Sequence, residues 1–327
     1  MRIAVIDDWQ DVARSSADWE PVERRARLAF LHDAYPDEDA AAVALEDFDG
    51  VVPMRDRTWF TRSLLERLPR LRVIAQTGTH AIHIDLDACA ERGITVLGCD
   101  RRSHDRSATA ELCLGLILAA SHGIVRGDAN LRAGRWQDGI PLGEAVRGKT
   151  IGLLGLGNVG GRVAGFAAAL GMDVLAWSPN LTAERAAASG AALVSKDELF
   201  SRPDIVSLHL VATPATAGIV GAAELALLRD GALLVNTARA ALVDQAAMRA
   251  ELESGRIGAA LDVFDTEPLP ADDPLRRAPN VVMTPHLGFV KRDLLESFYG
   301  GVVDELAAWL GGEPATVLRA PAPGRPG

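Results

Sequence analysis

Three polar residues in the second half of the chain stand just past strand-like runs: Arg239 after 232–238, Glu267 a short turn beyond 259–264, and His286 after 281–285. Singly, an arginine is usually a solvated surface group, a Glu-Pro pair a turn, and a histidine a structural residue. Together, at the carboxyl ends of strands where open α/β sheets bind ligands, they make a chemical set. An imidazole can hand a proton to an oxygen that is becoming an alkoxide, and a carboxylate beside it favours the protonated ring. A guanidinium can fork onto a substrate carboxylate and polarise the adjacent carbonyl, a task lysine performs poorly. Moving hydride between a nicotinamide and the carbonyl carbon of an anionic substrate needs such a donor and such a cation.

A place for the nicotinamide carrier lies upstream. The hexamer Gly155-Leu156-Gly157-Asn158-Val159-Gly160 follows the strand-like Thr150–Leu154 and precedes a helix expected over Arg162–Leu170. In that context the first glycine makes a tight turn, the second admits a diphosphate, and the third lets helix and strand approach. The free N–H groups and positive end of the helix then hold the anion. An NAD-selective site would end its second strand in an acid, but Asp173–Trp177 runs into Ser178-Pro179-Asn180, and Asp173 sits at the wrong end. Ser178, Asn180 and Arg185 would tolerate a 2′-phosphate, so NAD and NADP both stay open.

These groups need a scaffold. Strands expected at 3–6, 28–31, 50–53, 73–75 and 94–97 alternate with helical patterns, and a second series runs through 150–154, 173–177, 205–210, 232–236, 258–263 and 281–284. Strands separated by helix-length segments demand crossovers and parallel sheets. Ser107–Val125 is apolar on nearly every face, which suggests a clamped helix, at a subunit contact or inside one chain. Lys291–Leu310 reads as a helix interrupted at Gly300-Gly301, and the last eight residues, 320–327, read as a passive tail. A length of 327 residues suggests two domains, and 48% hydrophobic with 24% charged residues excludes disorder and fibres. Net charge −10 argues against nucleic acid and anionic membrane as partners. Cys89, Cys99 and Cys113 lack metal-ligand spacing and read as reduced thiols, so no metal is expected. The chain opens on a strand without a leader-like segment, and its most apolar stretch, Leu112–Ala120, is too short to span a bilayer, so a soluble cytoplasmic location is expected.

Several of these segments together resemble the D-isomer-specific 2-hydroxyacid dehydrogenase family, over nearly the whole chain. They are Ile84-Asp85-Leu86-Asp87 after a glycine-containing loop, Thr109-Ala110-Glu111, the Gly155 turn, 236–239 (Asn-Thr-Ala-Arg), 260–264 with Glu267-Pro268, and 284–288 (Thr-Pro-His-Leu-Gly). The resemblance implies a Rossmann dinucleotide-binding domain (102–289) inserted in a flavodoxin-like substrate domain (1–101 with 290–327), with the active site in the cleft, two hinge crossings, and a homodimer. It implies Arg239, Glu267 and His286 as the catalytic trio of an oxidoreductase moving hydride between NAD(P)H and a 2-oxo acid / D-2-hydroxy acid pair. It further implies Asp262 at the nicotinamide carboxamide, and Thr237, Ala238, Val211, Ala212, Thr213, Thr109 and Gly288 around the cofactor. Backbone N–H groups of Gly78 and Thr79 would meet the substrate carboxylate. Three positions depart from the pattern: Ser178 for a common aspartate, Ala240 for a frequent glycine, and the charged crossing Asp100–Arg106. There a solvated loop is weighed against Arg101 or Arg102 binding a second substrate carboxylate. Met54, Arg55 and His80 are candidates for side-chain selectivity among glyoxylate, hydroxypyruvate, pyruvate, phenylpyruvate and diacids. The alternative is a dinucleotide-sensing, corepressor-like protein of the same fold; retention of donor, partner and anchor argues against it.

Overall fold

The computed structural model describes residues 1–79, 81–99 and 107–320. The chain forms two compact units, Met1–His104 with Val290–Gly327, and Asp105–Phe289. The first carries a six-stranded sheet from β1 (Arg2–Val5), β2 (Arg27–Phe30), β3 (Gly50–Val52), β4 (Val73–Gln76), β5 (Thr95–Gly98) and the late-returning Val317–Arg319. Strands β2-β1-β3-β4-β5 lie in that spatial order and are parallel, the doubly wound arrangement of flavodoxin-like sheets. Val317–Arg319 adds an antiparallel edge to β5 that the sequence reading did not anticipate. Ile6, Leu45, Phe60, Leu64, Leu65 and Ile74 are among its buried core.

The second unit holds seven parallel strands: β6 (Thr150–Leu154), β7 (Asp173–Trp177), β8 (Ala192–Leu193), β9 (Ile205–Leu208), β10 (Leu233–Asn236), β11 (Gly258–Leu261) and β12 (Val281–Met283). Their order, β8-β7-β6-β9-β10-β11-β12, is that of a Rossmann sheet. One strand more than expected is present, because the two residues of β8 are too short to show a period. Chain direction of addition reverses at β6, so the crevice between the ends of β6 and β9 is the switch point where such sheets bind ligands. One face buries Val163, Ala164 and Ala167 with Cys113, Leu116 and Ile117; the other buries Phe200, Leu225, Met248 and Leu252.

Two helices differ from expectation. The apolar run breaks at Gly123 (φ 63°) into Ser107–Ser121 and Ile124–Arg132, bent by 67°. Among the described residues no single helix is long and apolar enough to cross a membrane, although this bent pair together has the length and composition. By contrast, Arg292–Gly311 runs through Gly300 and Gly301 unbroken. A Cβ on Gly301 would stand 3.0 Å from Cys99 Cβ, so this glycine serves close packing instead of interruption.

Candidate active site

The ladder register fixes the site. Asn236 pairs with Leu261, and Leu261 with Met283, so the chain leaves three adjacent strands at one level. Arg239 follows β10 by three residues, Asp262 follows β11 directly, and His286 follows β12 by three. Asn236 shapes the first exit: its amide donates to the Arg239 carbonyl at 3.0 Å and its oxygen accepts from Ala238 N–H at 3.0 Å. Arg239 is half-buried, with Nη1 donating to the Ala238 carbonyl at 2.7 Å. Ala240 opens a short 3-10 turn and is not among the residues with positive φ, so its departure from glycine costs no backbone strain.

His286 and Glu267 are in contact. Imidazole Nδ1 stands 2.6 Å from Glu267 Oε2, and Oε1 accepts from Phe264 N–H at 2.8 Å, which fixes the carboxylate. Their side chains are 14% and 22% exposed, dry enough for the pair to interact strongly yet open to a substrate. The ring also meets Phe289 edge-on at 5.3 Å. Among the described residues, His286 is one of four non-glycine residues with positive φ (52°), a conformation that the surroundings must hold in place. Asp262 holds it. This fully buried carboxylate accepts from Thr284 Oγ1 (2.6 Å), Leu287 N–H (2.7 Å) and Gly288 N–H (2.9 Å), clamping the loop on both sides of His286. Burial raises its pKa and those three donors oppose the rise. Thr109, from the helix Ser107–Ser121, donates to the Gly288 carbonyl at 2.9 Å.

The glycine turn fits a diphosphate by its own geometry. Gly155 has φ 101°, and a Cβ there would stand 2.9 Å from the His209 carbonyl carbon. A Cβ on Gly160 would lie 2.1 Å from Gly155 O, an impossible contact, whereas one on Gly157 would meet nothing within 4 Å. Turn and helix are thus sealed at the outer glycines and open at the middle one. The helix starts at Asn158, four residues earlier than expected, with Gly157 at its N-cap and no side chain capping it. Its first N–H groups, including those of Val159 and Gly160, need an acceptor. At the end of β7, Ser178 is half-buried and Asn180 exposed, and Arg185 Nη1 donates to the Asn180 carbonyl at 3.2 Å, bringing a cation to this turn. Val211 is 76% exposed and Thr213 is exposed beside the partly buried Ala212, while Thr237 is buried next to the Cys113 thiol.

In the first unit, Gly78 N–H is already used: it donates to Cys99 Sγ at 3.0 Å, while Thr79 is exposed. Arg55 has φ 60° and lies over the Phe298 ring at 5.4 Å, and Met54 is buried. His80, Arg101, Arg102 and the whole crossing 100–106 lie outside the described residues. All three cysteines are buried. Among the described residues, Asp8, Asp11 and His32 place possible ligand atoms within 4.8 Å of one another, but both Asp8 oxygens already accept from Val12 and Ala13 N–H groups. Sequence reasoning missed Asn236 and Thr284 as loop-shaping residues, and also Ser207 on β9 and His209 just past its end. The signal for the last two was their spacing of two, which sets them on one face of a strand.

Known proteins share much of this sequence and fold. Residues 114–288 match the family model described as D-isomer specific 2-hydroxyacid dehydrogenase, NAD binding domain. The chain is 38% identical over 279 residues to D-3-phosphoglycerate dehydrogenase of Mycobacterium leprae, which covers 85% of this chain and 52% of that protein. It therefore spans about half the length of that curated relative. It is 37% identical over 242 residues to hydroxypyruvate reductase of Thermotoga maritima, covering 73% of this chain and 77% of that one. A crystal structure of a phosphoglycerate oxidoreductase from Vibrio cholerae superposes with a TM-score of 0.88 at 35% identity, covering 95% of this chain and 99% of that one.

Proposed function

The chain belongs to the D-isomer-specific 2-hydroxyacid dehydrogenase family, and we propose that it is an NAD(P)-dependent oxidoreductase interconverting 2-oxo acids and D-2-hydroxy acids. The observation that carries this reading is the 2.6 Å contact between His286 and Glu267 at the strand edge that also carries Arg239 and the glycine turn.

When bound, a reduced nicotinamide dinucleotide supplies the hydride. Gly155, Gly157, Asn158, Val159 and Gly160 would hold its diphosphate, for which the open Gly157 position and uncapped helix leave room and donors. His286 gives its proton to the carbonyl oxygen as the carbonyl carbon is reduced, and takes it back from the hydroxyl in the oxidative direction. Glu267 balances the charge on the protonated ring and, through Nδ1, keeps Nε2 as the edge that meets substrate. Arg239 pairs with the substrate carboxylate and polarises the carbonyl next to it. In the first unit, the exposed Thr79 N–H is the proposed substrate contact, on the loop that Cys99 holds through Gly78. Asp262 acts here by clamping the loop of His286.

Ser178 with Arg185 over the Asn180 carbonyl supports acceptance of NADPH beside NADH, since no carboxylate stands at that strand end to repel a 2′-phosphate. A homodimer is the assembly we propose. Ile124, Val125, Leu131, Trp136 and Leu142, all more than half exposed, gather in one stretch of the chain and suit burial against a second copy. The names of its relatives point to small hydroxylated three-carbon 2-oxo acids as first candidates. Purified protein should reduce a member of a panel (glyoxylate, hydroxypyruvate, 3-phosphohydroxypyruvate, phenylpyruvate) with NADH or NADPH and yield the D-hydroxy acid. Absence of turnover across the panel despite tight dinucleotide binding would instead indicate a sensor.

A further inference from the structure

Beneath the glycine turn lies a buried polar chain that the reaction above does not use. His209 leaves the end of β9 at the switch point, and its imidazole Nε2 is 3.0 Å from Ser207 Oγ. Ser207 is fully buried, and its hydroxyl stands 3.2 Å from Sγ of Cys113, on the helix Ser107–Ser121. The main chain of His209 forms the wall against which Gly155 must lack a side chain, and its Cβ is 3.4 Å from where a Cβ of Gly160 would stand. His209 as a residue is half-buried. Burial pushes the Cys113 thiol up to about 11 and the His209 ring down to about 4, so at neutral pH the first keeps its proton and the second is uncharged.

We propose that His209 is a positioning residue for the diphosphate of the bound dinucleotide, its tautomer set from below by Ser207 and Cys113. In the proposed arrangement the thiol donates to Ser207 Oγ, the Ser207 hydroxyl donates to Nε2, and the ring proton rests on Nδ1. A neutral ring held this way offers one N–H donor to an anion arriving in the crevice between β6 and β9, beside the free N–H groups at Asn158 and beyond. The seat is preorganised, because the ring cannot turn without breaking the bond to Ser207. This inference rests on the reading that the turn holds a dinucleotide, and it adds a side chain to a set otherwise made of backbone.

The test is calorimetric titration of NADH, ADP-ribose and adenosine into the full chain and three variants. His209→Leu should weaken NADH and ADP-ribose by roughly tenfold to a hundredfold, the loss expected for one hydrogen bond to a charged group, and leave adenosine, which carries no phosphate, unmoved. His209→Gln, which keeps an N–H donor, should recover most of that loss. Ser207→Ala, which frees the ring to turn, should weaken the same two ligands by a smaller factor, and it decides the matter alone if His209→Leu does not fold. At saturating dinucleotide kcat should stay near the parental value, the loss appearing in the dinucleotide KM. Equal weakening of adenosine and ADP-ribose, or His209→Gln no better than His209→Leu, or unchanged binding in every variant, would overturn the assignment. Failure of the parent chain to bind ADP-ribose or NADH at all would overturn the dinucleotide reading itself.

Discussion

At the residue scale the proposed chemistry is divided among three side chains, and each can be removed separately. Glu267→Gln keeps size and one acceptor but loses the charge beside the ring, so kcat for reduction should fall by roughly tenfold to a thousandfold while the dinucleotide Kd holds. The steady-state pH profile and a fluorescence titration check both halves of that statement. Arg239→Lys retains the charge and loses the fork, and its main effect should be a raised KM for the 2-oxo acid. Ser178→Asp places a carboxylate where the adenosine ribose hydroxyls are expected, so kcat/KM with NADPH should drop at least tenfold relative to NADH. An unchanged ratio would put the 2′-phosphate elsewhere. The candidate trio and the glycine turn stand out in the sequence because they are discrete residue types at strand ends. The roles of Asn236 and Asp262 do not, since a hydrogen bond that shapes a loop leaves no spacing signature. Gly78 is a further example: its N–H belongs to Cys99 Sγ, a partner 21 residues away that no local pattern announces.

At the scale of elements, register and close approach decide which loops meet. The paired levels of β10, β11 and β12 bring their exits to one edge, and the Asp262 carboxylate then holds the His286 loop in its left-handed backbone. Asp262→Ala would leave two N–H groups and a hydroxyl without their acceptor, costing about 1–3 kcal/mol for each buried group. The expected result is a lowered melting temperature together with a loss of kcat exceeding that of the dinucleotide affinity. Gly160→Ala should abolish dinucleotide binding, because its Cβ and Gly155 O cannot share a space of 2.1 Å. Strand interiors were readable from β-branched runs, with ends shifted by one or two residues. The break at Gly123 and the continuity through Gly301 were read the wrong way round, since glycine marks a stop in one place and a packing contact in the other, and only the neighbouring Cys99 distinguishes them.

At the scale of the whole molecule, buried titratable groups set how stability responds to acid. Burial pushes His83 and His209 down from 6.5 to about 4 and Asp7 up from 3.8 to about 6. Depressed histidines contribute stability that is present above pH 6.5 and lost as pH falls towards 4. The raised Asp7 acts in the opposite sense: its favourable protonated form is lost as pH rises through about 6. In the first unit, His83 and Asp7 therefore oppose one another, while His209 stands in the second. Asp7→Asn removes one side of that balance, so the melting temperature of the variant relative to the parent should climb between pH 4 and pH 7. A difference that stays constant over this interval would show that Asp7 is ionised throughout. The exposed stretch from Ile124 to Leu142 belongs to this scale as well. Light scattering should find two chains per particle, and Leu131→Lys with Trp136→Lys should yield single chains that still bind dinucleotide.

The central claim is that His286 is the group that gives and takes the proton. Its most direct test compares kcat for the best 2-oxo acid in the parent and in His286→Ala, with the dinucleotide Kd measured on the same preparations. A fall in kcat of about a hundredfold or more, with the Kd held within a small factor, is the predicted result. Turnover in the variant equal to that of the parent would contradict the account.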